Sequence, residues 1–233
     1  MDERSDPSLE ATAPSDHGVR RSMKDRGAAR AADVLPLDRF NAFTDGVFAI
    51  AITLLVLELT VPATEGRLLP ALAEQWEEFL GYLISFAFIG GIWVSHAGMT
   101  KLMRHADTLS YGIDLLMLLF VAVLPFSTNL LVTHLSGPDV EAAVVIYGVN
   151  VLLASLALSL LMFYIASERS LVVDGVADET LEAKVRQRWI LIALNVVAIV
   201  LALVVPLAAV GVYLVMTFVA LTLPLIHLRR RRH

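Results

Sequence analysis

Long apolar stretches separated by short polar connections make up most of the chain from residue 40 onward. Five apolar blocks follow one another, at Phe40–Leu59, Phe79–Thr100, Leu109–Thr133, Ala142–Ala166 and Trp189–Leu228. Each of the first four has about the 20 residues that a helix needs to cross a bilayer. The last block has about 40 residues, roughly 60 Å as a helix and twice the hydrocarbon thickness. It must therefore fold back, and we expect the turn near Pro206 with Gly211 close behind. The pattern predicts an all-α membrane protein with six transmembrane helices.

The two ends of the chain have a different character. Residues 1–35 are polar, contain no apolar segment of the kind found in a signal peptide, and have no periodic hydrophobic face. Such a composition is typical of a disordered segment. We therefore expect a disordered cytosolic tail at 1–35, a six-helix transmembrane domain at 36–228, and a basic C-terminal end at 229–233.

Composition supports a membrane protein and excludes several other classes. Hydrophobic residues make up 57% of the chain and charged residues 18%, with a mean hydropathy of +0.71. The net charge of −5 excludes a nucleic-acid binder driven by bulk electrostatics. The absence of cysteine excludes a disulfide scaffold, a thiolate zinc site and an iron–sulfur cluster. Since no phosphate loop, nucleophile elbow or metal-ligand spacing is found either, we expect no enzyme activity, cofactor or metal.

Basic residues predict the orientation, because cytosolic loops of membrane proteins are enriched in Lys and Arg. If both termini are cytosolic, all basic residues but one lie on the cytosolic side. Arg67 is the exception, in a loop that also contains four glutamates. The basic positions on the predicted cytosolic side are the tail up to Arg39, Lys101, Arg104, Arg169, Lys184, Arg186, Arg188 and Arg229–Arg232.

Ionisable residues inside apolar helices are candidates for function, because they are expensive to bury in a bilayer. Asp45, His96 and Asp114 lie on predicted helices 1, 2 and 3 at a similar depth near the cytosolic side. One interpretation is a buried network that joins these three helices, and the other is direct contact with a permeating species. Asp45 is the strongest candidate for a functional residue. The expected partners of the three residues are one another, Arg39, Arg104 and Trp93.

Helix 1 has an aliphatic stripe. At about 100° per residue, four positions share one face about 100° wide, and Asp45 lies about 220° from Ile50 on the opposite side. The four positions are Ile50, Thr53, Leu54 and Leu57. From periodicity alone, the stripe is explained by helix packing or by lipid contact. Glu58, beside the stripe at its outer end, either caps the helix or attracts cations to an entrance.

The start of helix 1 resembles the signature of a known family. Arg39-Phe40-Asn41-Ala42-Phe43-Thr44-Asp45 is similar to the Arg, three residues, Phe-Ser-Asp pattern of the transmembrane protein 175 family, with Thr44 in place of Ser. This family comprises endosomal and lysosomal potassium channels and their prokaryotic relatives. Trp93-Val94-Ser95-His96 resembles the family's Trp-x-x-His, and Asp114 stands where the family would have Asn.

The resemblance implies a homotetramer of six-helix subunits in which helix 1 of each subunit lines a central pore. It implies a hydrophobic constriction at Ile50, Leu54 and Leu57, with Thr53 adding a hydroxyl layer and Glu58 at the outer entrance. It also implies a structural network behind the pore, formed by Arg39, Phe43, Thr44, Asp45, Trp93, His96 and Asp114.

The resulting hypothesis is a potassium-permeable cation channel in a prokaryotic plasma membrane, a multi-pass protein that requires the lipid bilayer. A second hypothesis makes protons the main cargo, with His96, Asp45 or Glu58 titrating along the path. A third is a non-conducting membrane scaffold whose tail binds a partner, in which case the stripe on helix 1 is a packing face.

Overall fold

The computed structural model describes residues 36–60 and 66–216, and within these ranges the chain is mostly helical and contains no β-strand. The predicted tail at 1–35, part of the first connection, the end of the last predicted helix and the basic end at 229–233 lie outside the described residues. The helices are α1 (Leu37–Leu57), α2 (Leu68–Glu74), α3 (Trp76–Thr100), α4 (Thr108–His134), α5 (Val140–Ser167), α6 (Asp178–Ala202) and α7 (Pro206–Met216).

Five of these helices are long and apolar enough to cross a membrane, namely α1, α3, α4, α5 and α6. They correspond to predicted helices 1–5. The prediction was wrong at the start of the fifth, which begins at Asp178 rather than at Trp189. Asp178 and Glu179 in its first turn stabilise the helix N-terminus, so the helix extends beyond its apolar part. The short α2 was not predicted.

The last apolar block turns back near the predicted position. Helix α6 ends at Ala202 and α7 begins at Pro206, a residue favoured in the first turn of a helix. Gly211 lies inside α7 and not in the turn. The ring of Tyr213 then packs edge-on against Tyr147 of α5, with centroids 5.6 Å apart. A Cβ at Gly148 would collide with the Tyr213 hydroxyl, so this close approach requires glycine.

The loops that the sequence predicts to be cytosolic lie at one end of the bundle. The α3–α4 loop and the α5–α6 loop pair through backbone hydrogen bonds from Arg104 N to Leu171 O (2.7 Å) and from Val173 N to Leu102 O (2.9 Å). Arg104 also forms a 2.5 Å ion pair with Asp174. At the opposite end, Thr60 N donates to a Glu78 carboxylate oxygen at 3.0 Å. The loops rich in basic residues therefore share one end of the bundle.

A capping box starts α4 at the end that holds these loops. The Asp107 carboxylate accepts a hydrogen bond from Ser110 N, and the Ser110 hydroxyl accepts one from Asp107 N, both at 2.9 Å. The Tyr164 hydroxyl of α5 donates to the same carboxylate. Burial raises the pKa of Asp107, but the hydrogen bonds from Tyr164 and Ser110 outweigh it and hold that pKa below its ordinary value of 3.8.

Helices α4 and α5 form the centre of the bundle. Helix α4 packs against α1, α3 and α5, while α5 also packs against α6. Helix α1 lies at the side of the bundle and buries one face, at positions spaced three or four residues apart as expected for a helix. These buried positions are Phe40, Thr44, Phe48, Ala51 and Leu55. The packing leaves the other face of α1 without a partner in the described residues of the subunit.

Candidate functional site

The free face of α1 carries the predicted aliphatic stripe. Ile50, Leu54 and Leu57 are 61%, 41% and 73% exposed, and Thr53 is exposed between them. Large aliphatic side chains at such exposure lie on a surface that contacts lipid, a second copy of the chain or a pore. The stripe carries no titratable group between Asp45 and Glu58. It is therefore an uncharged apolar surface about two turns long.

The Thr53 hydroxyl has a defined orientation within this stripe. It donates to main-chain oxygens of its own helix, with Oγ1 2.9 Å from Ile50 O and 3.0 Å from Ala49 O. Because a hydroxyl has one hydrogen and two lone pairs, this bond leaves the oxygen lone pairs of an exposed side chain available as acceptors. Thr53 can thus present an oxygen to a cation from an apolar surface.

Behind the stripe, three predicted residues meet in the buried interface of α1, α3 and α4. The Thr44 hydroxyl donates to Asp114 Oδ2 at 2.6 Å, and His96 Nε2 lies 3.0 Å from Asp114 Oδ1. The side chains of His96 and Asp114 are both almost fully buried. Phe40 stacks on the His96 ring with centroids 5.6 Å apart. An apolar shell therefore encloses a polar contact that joins three helices.

A second tie joins α1 to α3. Trp93 Nε1 donates to Asp45 Oδ1 at 2.8 Å, on the side of α1 away from the stripe. Asp45 and Trp93 are both exposed, and Phe43 is 54% exposed. The structure therefore divides the predicted polar residues into a buried cluster of Thr44, His96 and Asp114 and a separate exposed pair.

Two basic residues were expected to pair with these side chains. Arg104 pairs with Asp174 in the loop that follows α5. Arg39 is exposed and has no carboxylate within 4 Å among the residues that the structure describes. Within the described ranges, no ion pair joins Asp45, His96 or Asp114 to either arginine.

Glu58 immediately follows the last residue of α1 and is half-buried. Asn129 Nδ2 of α4 donates to Glu58 Oε2 at 2.5 Å, which fixes the carboxylate at the opposite end from the basic loops. The interpretation of the sequence missed Asn129. The feature of the sequence that could have identified Asn129 is its polar amide side chain, which lies about one turn before the end of an apolar helix.

Arg188 was also misjudged from the sequence, which placed it in a loop. It lies in α6 and is 9% exposed, with Nε donating to Ser159 Oγ at 3.2 Å. The spacing contained the signal: Leu181 and Ile192, seven residues before and four after, are buried on the same face.

Five apolar membrane-length helices, with a polar cluster buried between three of them, define an integral, multi-pass membrane protein. Residues 39–125 match the family described as the endosomal/lysosomal potassium channel TMEM175. The crystal structure of a TMEM175 homologue from Chamaesiphon minutus, described as a potassium-selective channel, superposes with a TM-score of 0.72 at 31% sequence identity. That alignment covers 79% of this chain and 96% of the other. The chain belongs to the TMEM175 family.

Two further relatives differ in the ion for which they are named. A Streptomyces collinus protein named a potassium channel is 35% identical over 130 residues, which are 54% of this chain and 63% of that protein. A Bos taurus protein named an endosomal/lysosomal proton channel is 36% identical over 103 residues, 40% of this chain and 22% of that protein. The matched region is thus less than two thirds of either relative. The bacterial relatives indicate a prokaryotic membrane.

Proposed function

We propose that this chain is a subunit of a potassium-permeable cation channel whose pore is lined by α1 of each subunit. The observation that carries the proposal is the exposed stripe of Ile50, Thr53, Leu54 and Leu57, on the face of α1 that the subunit leaves uncovered. Membership of the TMEM175 family and the names of the bacterial relatives support it.

A pore along α1 requires several copies of the chain. One stripe encloses nothing, whereas cyclic symmetry brings equivalent stripes to a common axis. We infer a homotetramer of subunits with six transmembrane helices, α7 being the start of the sixth. Both termini are cytosolic in this proposal, so the tail at 1–35 and the basic end at 229–233 share one side of the channel domain at 36–228.

The proposed constriction works by the cost of removing water from an ion. Rings of Ile50, Leu54 and Leu57 are too narrow for a hydrated ion and gate by dewetting. Potassium loses its hydration shell more readily than sodium, so such rings favour potassium. The Thr53 oxygens replace part of the lost water, as their orientation allows. Glu58 raises the local concentration of cations at the outer entrance.

In this proposal Thr44, Asp45, Trp93, His96 and Asp114 support the pore from behind, while Arg39 and Phe43 are exposed members of the same predicted group. The contacts of Thr44 and Asp45 with α4 and α3 favour this role, because they hold α1 by the faces away from the stripe. None of these contacts places a titratable group on the stripe itself.

Proton conduction is the second candidate, favoured by the vertebrate relative's name and by the His96–Asp114 contact. These two residues are buried behind α1, so protons moving through them would use a path separate from the stripe. Reversal potentials that follow the pH gradient instead of the potassium gradient would favour this candidate.

The test is ion flux from liposomes that contain the purified full chain, with a potassium gradient and then a sodium gradient. We expect flux that favours potassium in the parent and loses that preference in Ile50→Asn. Leu119→Asn is the matched control, because Leu119 is similarly exposed on α4 and lies outside the proposed pore. Equal loss of preference in both variants contradicts the assignment of the constriction. No flux from folded protein favours the scaffold interpretation.

A further inference from the structure

Arg188 is a buried cation with only neutral partners among the described residues. Its Nε donates to Ser159 Oγ at 3.2 Å and its Nη2 to Ser155 O at 3.3 Å, both on α5. No carboxylate in residues 36–60 or 66–216 lies within 4 Å of it. A guanidinium in an apolar helix bundle is costly without an anionic partner. Among the residues that the structure describes, the site therefore lacks a counter-charge.

The segment that follows α7 does not contain one either. Residues 217–233 include no Asp or Glu and end in four consecutive arginines. Any contact that this segment makes with Arg188 thus supplies no side-chain carboxylate. The described residues and residues 217–233 therefore offer Arg188 no side-chain carboxylate, and an anion from outside the chain can supply the charge.

A narrow apolar groove leads from Arg188 along the bundle between α3, α5, α6 and α7. Its cavity volume is about 60 Å³, or about 570 Å³ when the space on its open side is included, and most of its wall is carbon. It runs from Ile84 and Tyr213 at one end to Ser95 and Arg188 at the other, with Val151 and Leu191 between. From Ile84 to Ser95 the groove extends about 16 Å along α3 at about 1.5 Å per residue.

The polar end of the groove lies toward the basic loops. Lys184, one turn before Arg188 on α6, places its Nζ next to Gly98, near the end of α3. Two cations at successive turns of α6 thus lie near this end of the groove, Arg188 against α5 and Lys184 near α3. A slender apolar slot with a cationic end matches an acyl chain that carries an anionic head.

We propose that this groove binds an anionic glycerophospholipid, with its phosphate at Arg188 and one acyl chain along the slot. Arg is suited to this role because its planar guanidinium forms paired hydrogen bonds with phosphate oxygens. The site lies on the far side of α3 and α5 from the stripe of α1. It is therefore independent of the proposed conduction path.

The test is native mass spectrometry of the full chain titrated with phosphatidylglycerol and, separately, with phosphatidylcholine of the same acyl composition. We expect tighter binding of phosphatidylglycerol, and about tenfold weaker binding of it by Arg188→Gln. Arg186→Gln is the matched control, since Arg186 is exposed two residues away, and its affinity should stay within about twofold. Leu191→Trp fills the slot while keeping Arg188, and should weaken both lipids.

Several results would overturn the proposal. One is unchanged phosphatidylglycerol affinity in folded Arg188→Gln, and another is equal affinity for the two lipids. Competition by inorganic phosphate as strong as that by phosphatidylglycerol would make this a small-anion site. Absence of retained lipid in the parent would also overturn it. If Arg188→Gln does not fold, Arg188→Lys and Leu191→Trp decide: unchanged phosphatidylglycerol binding in both refutes the site.

Discussion

The Thr44 hydroxyl of α1 donates a 2.6 Å hydrogen bond to Asp114 Oδ2 of α4, and both side chains are buried. This bond fixes how α1 is rotated against the bundle. Ile50, six residues further on, lies about 120° around the helix from Thr44 at 3.6 residues per turn. Holding Thr44 inward therefore keeps the aliphatic stripe outward.

Asp114→Asn should be tolerated and Asp114→Leu should not. An Asn oxygen can still accept the Thr44 hydrogen bond, whereas Leu leaves the buried Thr44 hydroxyl without its acceptor and removes the carboxylate beside His96. We expect Asp114→Leu to lower the free energy of unfolding by about 1–3 kcal/mol, measured as a lower Tm in detergent. A loss in Asp114→Asn as large as in Asp114→Leu would show that the charge opposite His96, rather than the acceptor, holds the contact.

Thr53→Val should reduce the preference for potassium while leaving the fold intact. The substitution keeps the shape of the side chain and removes the oxygen that the stripe offers to a cation. The measurement is the ratio of potassium to sodium flux from liposomes, alongside the Tm. Thr180→Val, at an exposed threonine of α6, is the control. An unchanged flux ratio in Thr53→Val would remove the hydroxyl layer from the mechanism.

Glu58→Gln should lower conductance at low ionic strength. The carboxylate attracts cations by long-range electrostatics, which about 1 M salt screens within roughly 3 Å. We expect a decrease of about two- to threefold at low salt and no difference at high salt. Asn129→Ala frees the Glu58 carboxylate and should give a smaller change in single-channel recordings. A decrease that persists at high salt would indicate a structural defect instead.

The Asp107 cap should give a pH-dependent contribution to stability. Because its pKa in the folded protein is below 3.8, ionised Asp107 stabilises the fold above that pH, and the contribution disappears as pH falls through the lowered pKa. Asp107→Ala should cost about 1 kcal/mol at neutral pH, typical of a lost N-cap. The Tm difference between parent and variant should be constant above about pH 5 and shrink below 3.8. A difference that grows on acidification would contradict this account.

Much of the fold could be predicted because each transmembrane helix has to satisfy its backbone internally and expose apolar side chains. This requirement produces long apolar stretches in the local sequence, so five helices and the turn before Pro206 were predictable. The start of α6 was not, because charged residues continue the helix beyond its apolar part. The stripe on α1 was also predictable, since it depends only on helical periodicity. The family signature at the start of α1 was recognisable because it consists of contiguous residues.

The sequence by itself determined a helical membrane protein of the TMEM175 family and the face of α1 that carries Ile50, Leu54 and Leu57. It also determined that Asp45, His96 and Asp114 lie on three helices at a similar depth in the membrane. Only the tertiary structure decided which polar groups meet: Thr44 and His96 with Asp114, Asp45 with Trp93, Glu58 with Asn129, and Arg188 with the serines of α5. Periodicity gives the direction of a side chain around its own helix. The partner depends on the rotation and vertical offset of the neighbouring helix, which are set by packing across the whole bundle.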